Sequence, residues 1–131
     1  MSSDTLQRIL YVEDEPDIQT VARIVLETVG GFTVQICSSG EEALKTAVEF
    51  APDLLLLDVM MPGMDGPTTL QALRNLPDLE NTPAVFMTAK VQPQEIEQFK
   101  SFGALDVITK PFDPMALSSQ ITALWQQRDE Q

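Results

Sequence analysis

Four consecutive leucines occupy positions 54–57 of the chain, and the run ends in Asp58. A strand that is apolar on both faces belongs in a parallel sheet that helices cover on each side. The segment after Asp58 is rich in methionine, proline and glycine, which indicates that the strand ends there. In open α/β sheets, ligands bind beyond the carboxyl ends of the strands. The leucine run therefore predicts an α/β fold with Asp58 at the ligand-binding edge.

Apolar runs of strand length alternate with segments of helical period along the chain. The predicted strands cover residues 9–12, 33–36, 54–57, 84–87 and 105–108. Each is followed by a helical segment, so we expect five βα units and a doubly wound, five-stranded parallel sheet with five helices. No repeat, low-complexity tract or linker interrupts the pattern, which predicts one domain.

Several helices have start signals. Residues 39–42, Ser-Gly-Glu-Glu, have the capping-box pattern and open the second helix. The third helix begins near Pro67 and the fourth covers about residues 93–103. Asp113 as N-cap and Pro114 at the first helical position open the fifth. The first two helices have apolar stripes, formed by Ile18, Val21, Ala22, Val25 and Val29 and by Leu44, Ala47, Val48 and Ala51.

Composition excludes several classes of function. Twenty acidic and eight basic residues give a formal charge of -12, which repels nucleic acid and anionic membranes, so we expect direct contact with neither. The chain has no histidine and one cysteine, which excludes Ser-His-Asp and Cys-His catalysis and an intramolecular disulfide. No apolar stretch reaches the roughly 18 residues of a membrane span, and the first seven residues are too polar for a signal peptide. We expect a cytoplasmic protein.

Polar side chains follow four of the predicted strands. Glu13 and Asp14 come after the first, Asp58 after the third, Thr88 after the fourth and Lys110 after the fifth. Because the carboxyl ends of parallel strands meet at one edge, we expect these groups to converge. Two carboxylates about 4 Å apart repel by about 4 kcal/mol at an effective dielectric of 20, so the cluster needs a cation. Oxygen ligands suit a hard divalent ion, Mg²⁺ or Mn²⁺.

Four short motifs stand in the same order as in a known family. Residues 12–15 read Val-Glu-Asp-Glu, 57–62 Leu-Asp-Val-Met-Met-Pro, 87–89 Met-Thr-Ala and 110–112 Lys-Pro-Phe. On these motifs the chain resembles the receiver domain of two-component response regulators. The resemblance implies a flavodoxin-like sheet of strand order 2-1-3-4-5. At 131 residues the chain is too short for a core plus a separate effector, so we expect a stand-alone receiver over residues 1–131, with a core of about 8–127 and no output domain.

The same resemblance implies a metal site. Asp14 and Asp58 would bind Mg²⁺ directly, the backbone carbonyl of Met60 would be a third protein ligand, and Glu13 would act through water. These assignments depend on the family pattern, since the residues alone predict only an acidic cluster that needs a cation.

Further roles are implied for the phosphoryl chemistry. Asp58 would accept a phosphoryl group from a histidine kinase or phosphotransfer protein, Lys110 would contact a phosphoryl oxygen, and Thr88 would be the switch hydroxyl. In the family the peptide between Lys110 and Pro111 is cis. The phosphorylated form would act on a downstream protein target, and a homodimer through the fourth and fifth helices is a further expectation.

The chain departs from the family pattern at two places. Many receivers have an aromatic residue three positions before the lysine, and this chain has Val107. We therefore expect signalling through smaller changes in the fourth helix and its loops. Met60 and Lys90 flank the path of a hydrolytic water, and we hypothesise that their bulk slows autodephosphorylation.

Three alternative functions compete with a terminal signalling module. A phosphorelay intermediate would use the same residues and pass the phosphoryl group on. An aspartate-nucleophile phosphohydrolase generally needs a second Asp two residues after the nucleophile, and Met60 stands there. A flavin-binding protein shares the strand order but needs a Ser/Thr/Gly-rich phosphate loop after the first strand, where this chain is acidic.

Overall fold

The computed structural model describes residues 5–89 and 91–128 of the 131-residue chain. Five strands pair in parallel in one sheet of order β2-β1-β3-β4-β5, as predicted. The strands are β1 (Arg8–Val12), β2 (Thr33–Cys37), β3 (Leu54–Asp58), β4 (Ala84–Thr88) and β5 (Asp106–Thr109). The sheet order reverses between β1 and β3, which are neighbours, and this is where open sheets of this type bind ligands.

Within the described residues, four α-helices connect consecutive strands and a fifth follows β5, and together they cover both faces of the sheet. They are α1 (Pro16–Ile24), α2 (Gly40–Phe50), α3 (Gly66–Arg74), α4 (Pro93–Ser101) and α5 (Leu117–Gln127). Residues of α1 and α5 share one apolar cluster, and residues of α2, α3 and α4 share the other. The doubly wound prediction is therefore confirmed. Within the described part of the chain, no helix has the length and apolar character that crossing a bilayer requires.

The leucine run of β3 is explained by these two clusters. Leu54 and Leu56 belong to the cluster of α1 and α5, while Leu55 and Leu57 belong to that of α2, α3 and α4. All four are fully buried. Since burying a leucine side chain contributes about 1.5–3 kcal/mol, the central strand anchors both halves of the core and fixes the position of Asp58.

The predicted apolar stripe of the first helix was wrong in part. After Ile24 the helix continues as a π-helical turn, Val25–Val29, which adds residues per turn and rotates the following side chains relative to an α-helical period. Leu26 is fully buried, whereas Val21 and Val29 are 41% and 53% exposed.

The stripe of α2 was wrong at two positions. Ala43 and Ala47 form the fully buried face of this helix, so Val48 points outward and is 45% exposed. Ala51 is also exposed, at the left-handed C-cap of the helix. Small alanines on the inner face let the helix approach the sheet closely, which the count of apolar residues alone did not indicate.

The starts of α2 and α3 follow the sequence signals. Ser39 Oγ accepts the N–H of Glu42 at 3.1 Å, as the capping box predicts. The Glu42 carboxylate, however, accepts the N–H of Ser38 at 2.7 Å rather than that of Ser39. α3 begins at Gly66, one residue before the predicted Pro67, and the Asp65 carboxylate caps it.

The start of α5 differs from the prediction. The Asp113 carboxylate accepts the N–H of Met115 at 3.1 Å, and the Asp113 carbonyl accepts the N–H of Ala116 at 3.0 Å. These bonds form a separate turn, and α5 begins only at Leu117. Asp113 therefore caps the turn and not the helix. The fourth helix also ends earlier than predicted, at Ser101.

Candidate functional site

The predicted acidic cluster forms at the carboxyl edge of the sheet. Glu13 and Asp14 directly follow β1, and Asp58 is the last residue of β3. One carboxylate oxygen from each of the three lies within 4.8 Å of the others. The Nζ atom of Lys110, which directly follows β5, lies 3.3 Å from Asp58 Oδ2 and 3.0 Å from Glu13 Oε1. Three strand ends thus contribute to one contact network.

Thr88 completes the predicted set at the end of β4. Its side chain is buried, with the residue 2% exposed. Its backbone carbonyl accepts the N–H of Lys110 at 3.0 Å, which ties the ends of β4 and β5 together. The peptide between Lys110 and Pro111 is cis, as the resemblance implied.

Asp58 lies in an environment that disfavours its charge. The residue is 2% exposed, and burial together with the charge of Glu13 raises the pKa of its carboxyl to about 6. The ammonium of Lys110 acts in the opposite direction and limits the rise, while Asp14 adds to it. The ionised form of Asp58 is therefore favoured by any additional positive charge in the site.

Lys110 keeps its charge despite partial burial. Desolvation alone would lower the pKa of its ammonium group, but the hydrogen bond to Glu13 and the negative charges of Asp58 and Glu13 outweigh that effect and raise the pKa. The side chain is 18% exposed. The charged ammonium of Lys110 is thus shared between the carboxylates of Glu13 and Asp58.

The donor set fits a hard divalent cation. The three carboxylates are opposed by the single charge of Lys110 within this contact network, which leaves a negative excess in a largely buried place. Glu13 and Asp58 are buried and Asp14 is half-buried, so one side of the cluster faces solvent. Carboxylate oxygens with room for water are the ligands that Mg²⁺ and Mn²⁺ favour.

Comparison with known proteins identifies the family to which the chain belongs. Residues 9–122 match the family model of the response regulator receiver domain. The chain belongs to this family. Receiver domains act in two-component signalling, with histidine kinases or phosphotransfer proteins as partners. Membership favours the phosphoacceptor signalling module over the phosphohydrolase and flavin-binding alternatives.

Individual relatives agree with the family match. The DNA-binding dual master transcriptional regulator RpaA of Synechocystis is 36% identical over 124 residues, which cover 95% of this chain and 51% of that protein. The DNA-binding response regulator MtrA of Mycolicibacterium smegmatis is 36% identical, with 98% of this chain and 55% of the relative covered. The chain therefore spans about half the length of the curated relatives it matches.

Solved structures share the fold. Chemotaxis protein CheY4 of Vibrio cholerae superposes with a TM-score of 0.84 at 28% identity, covering 92% of this chain and 99% of CheY4. A response regulator of Chloroflexus aurantiacus gives a TM-score of 0.81 at 30% identity, covering 93% and 99% of the two chains.

Two residues of this receiver site were missed by sequence reasoning. The Tyr11 hydroxyl donates to Glu13 Oε1 at 3.2 Å, and the side-chain amide of Gln19 donates to the backbone carbonyl of Glu13. Tyr11 precedes Glu13 by two residues, so the alternation of strand side chains could have placed both on one face. Gln19 lies on α1, and no sequence pattern marks it.

The loop beyond Asp58 also contributes to the receiver site. The Met60 side chain is 64% exposed, while Met61 is buried. The metal-binding role of the Met60 carbonyl stays a prediction. Lys90, which we expected beside the same path, lies outside the described residues. Val107 is half-buried and pairs with Phe86 of β4, so the departure from an aromatic residue falls next to the strand that carries Thr88.

Proposed function

We propose that Asp58 accepts a phosphoryl group from a histidine kinase or phosphotransfer protein in a reaction that needs Mg²⁺ or Mn²⁺. The phosphorylated chain then changes its contacts with a downstream protein. One observation carries this proposal: a buried carboxylate ends the central strand, 3.3 Å from the Lys110 ammonium and beside two further carboxylates. In this role the chain is a signalling module rather than an enzyme.

The chemistry assigns a distinct role to each side chain. An ionised Asp58 oxygen attacks phosphorus, a new O–P bond forms, and the P–N bond to the donor imidazole breaks, with the electron pair leaving on nitrogen. Lys110 has three donor hydrogens, so its ammonium can turn toward a phosphoryl oxygen. Thr88 offers a hydroxyl donor to the new anion.

The metal site follows the family pattern. Asp14 and Asp58 would hold the ion, with the Met60 carbonyl as a third protein ligand and Glu13 acting through water. When bound there, the ion supplies positive charge that offsets the clustered carboxylates and the phosphoryl oxygens. The raised pKa of Asp58 supports this assignment, because a nearby cation would favour the ionised nucleophile.

The output would begin with a change of charge at one strand end. Phosphorylation replaces one negative charge with about two and adds acceptor oxygens. Thr88 ends β4 and precedes the loop to α4, so movement of its hydroxyl would be passed to that loop and helix. Val107 has less surface to move than an aromatic side chain, which supports an output through small shifts of α4 and its loops.

Other parts of the expected function stay predictions. These are the lack of nucleic-acid and membrane contact, the cytoplasmic location, and a homodimer through α4 and α5. RpaA and MtrA are named as DNA-binding, and that description is theirs. A phosphorelay intermediate remains the alternative within the same chemistry. It would require the phosphorylated chain to pass its phosphoryl group on to a phosphotransfer histidine.

The decisive experiment measures intact mass after incubation with acetyl phosphate and MgCl₂. We expect one alkali-labile phosphoryl adduct on the wild type, none on Asp58→Asn, and none when EDTA removes the metal. Asp78→Asn is the matched control, because Asp78 is exposed in the loop before β4. It should keep the adduct. Absence of an adduct on the wild type, or its survival in Asp58→Asn, would overturn the proposal.

A further inference from the structure

The hydroxyl of Tyr11 forms a hydrogen bond with Glu13, one of the three carboxylates of the acidic cluster. It is the fourth residue of β1 and is fully buried. The hydroxyl donates to Glu13 Oε1 at 3.2 Å. The same oxygen also accepts from Lys110 Nζ at 3.0 Å. Glu13 Oε1 therefore has one neutral donor, held by the sheet, and one cationic donor, held by the loop after β5.

The cationic donor, the Lys110 ammonium, is the group that the proposed reaction needs at the phosphoryl oxygens on Asp58. Lys110 Nζ is nearer to Glu13 than to Asp58, at 3.0 Å against 3.3 Å. To contact a phosphoryl group on Asp58, the ammonium must loosen its bond to Glu13. Glu13 is fully buried, so a carboxylate oxygen left without a donor there would be strongly unfavourable.

The Tyr11 hydroxyl is a second donor to the oxygen of Glu13 that Lys110 contacts. When Lys110 turns away, Oε1 keeps the Tyr11 hydroxyl, and Oε2 keeps the N–H of Glu15 at 3.1 Å. Each oxygen of Glu13 then retains one donor from a fixed position. The ring of Tyr11 belongs to the core between β1 and the helices α1 and α5, which holds the hydroxyl in place.

We propose that Tyr11 is a positioning residue that holds Glu13 and so releases Lys110 for the phosphoryl group. The inference rests on the proposed role of Asp58 and extends it to a residue outside the four motifs. Tyr11 acts through Glu13 and does not touch the phosphoryl group. The reaction in the test is transfer from acetyl phosphate: an O–P bond forms at Asp58 and acetate leaves.

Tyr11→Phe tests the proposal, because it keeps the ring and removes the donor. Without the hydroxyl, Lys110 is the remaining side-chain donor to Glu13 Oε1 among the residues that the structure describes, so its ammonium is held more tightly. We expect phosphorylation by acetyl phosphate to slow roughly tenfold, as for the loss of one charge-assisted hydrogen bond. Calorimetric Mg²⁺ affinity should be unchanged or tighter. A merely structural role would loosen the cluster and weaken both.

A double-mutant cycle separates the mechanism from general damage. In the Glu13→Gln background the charge that competes for Lys110 is gone, so adding Tyr11→Phe should change the rate by less than about twofold. Thr69→Val is the matched control, because it removes another fully buried hydroxyl, far from Glu13 in sequence and on α3. It should leave the phosphorylation rate within about twofold of wild type.

A measurement on the wild type needs no variant. With beryllofluoride and Mg²⁺ as a phosphoryl mimic, NMR should show a shift of the Lys110 ammonium signal while the Tyr11 hydroxyl proton stays protected from exchange. Rapid exchange of that proton, a wild-type rate in Tyr11→Phe, or an equal slowing in the Glu13→Gln background would each refute the role of Tyr11. Failure of the wild type to accept phosphoryl at Asp58 would instead refute the proposed function itself.

Discussion

Asp58, the proposed phosphoacceptor of this receiver, lies in surroundings that oppose its ionisation. Asp58 ends a strand that is buried on both faces, so its carboxylate has little water around it. Burial and the neighbouring Glu13 raise the pKa of Asp58 to about 6, while Lys110 offsets part of the rise. The folded chain therefore holds a carboxylate whose ionisation opposes folding until a cation arrives.

Replacing Asp58 should stabilise the metal-free protein in a pH-dependent way. The folded pKa of Asp58 lies above its ordinary value of 3.8, so the folded state binds more protons than the unfolded state between about pH 4 and 6. This group's contribution to stability is complete below pH 4 and is lost as pH rises through 6. In EDTA at pH 7.5, Asp58→Asn should raise the free energy of unfolding by up to about 3 kcal/mol, which is the free-energy equivalent of a pKa raised from 3.8 to about 6.

Urea unfolding across this pH range measures the effect. The advantage of Asp58→Asn should shrink toward zero near pH 4. Glu97→Gln removes one charge from an exposed position of α4 and controls for the net charge. An equal gain in that variant, or an Asp58→Asn gain that grows as pH falls, would show that the site is not under electrostatic strain.

At this scale the sequence predicted the residues that stand at strand ends. Glu13, Asp14, Asp58 and Lys110 converge because parallel strands finish at one edge, a property that follows from the fold class. Tyr11 was not predicted, because its role depends on a side-chain contact with Glu13, two residues further along the chain, rather than on a motif. The preference of Lys110 for Glu13 over Asp58 also depends on atomic distances that no pattern encodes.

At the scale of secondary-structure elements, the position of Asp58 depends on close contact between the end of β3 and the start of α3. α3 begins at Gly66, and a β-carbon placed there would lie 2.7 Å from the backbone oxygen of Asp58 and 2.9 Å from the α-carbon of Val59. The N–H of Gly66 donates to the Val59 carbonyl at 3.0 Å. Glycine thus lets the start of α3 lie directly against the end of β3.

Gly66→Ala should therefore displace Asp58, the proposed phosphoacceptor. The added methyl group meets backbone, which cannot rotate away, so we expect a loss of about 1–3 kcal/mol in stability and slower phosphorylation. Gly40→Ala is the matched control, since Gly40 also begins a helix and its β-carbon would meet side-chain atoms of Thr69 and Met64 rather than backbone. Thermal melts and adduct formation should show the larger defect in Gly66→Ala. Equal adduct formation in both variants would contradict the positioning role of Gly66.

Sequence periodicity predicted the strands of this chain better than the details of its helices. All five strands were predicted to within one residue at each end, because apolar runs with clear flanking turns specify them. The π-helical turn, Val25–Val29, was not predicted, because no residue type or spacing in the sequence indicates its hydrogen-bond pattern. The start of α5 was misplaced because Asp113 and Pro114 suit a turn as well as a helix N-terminus.

On the scale of the whole molecule, charge acts in two separable ways. The chain has a net charge of -12, so general repulsion opposes folding and is reduced by any added salt. Glu13, Asp14 and Asp58 concentrate part of that charge in one place. A bound divalent ion would act there specifically, whereas Na⁺ would act over the whole surface. The two effects have different dependences on concentration.

We expect MgCl₂ to stabilise the protein beyond NaCl of equal ionic strength. The extra stabilisation should follow a single-site curve, because a ligand that binds only the folded state adds RT ln(1 + [L]/Kd), about 1.4 kcal/mol at ten times Kd. Asp14→Asn should remove this saturable part and leave the response to NaCl unchanged, since it deletes one carboxylate of the cluster and only one charge of the total. Urea midpoints measured over both salts would separate the contributions. If Asp14→Asn kept the full magnesium effect, the ion would be acting on the general charge of the molecule and not at the carboxyl edge of the sheet.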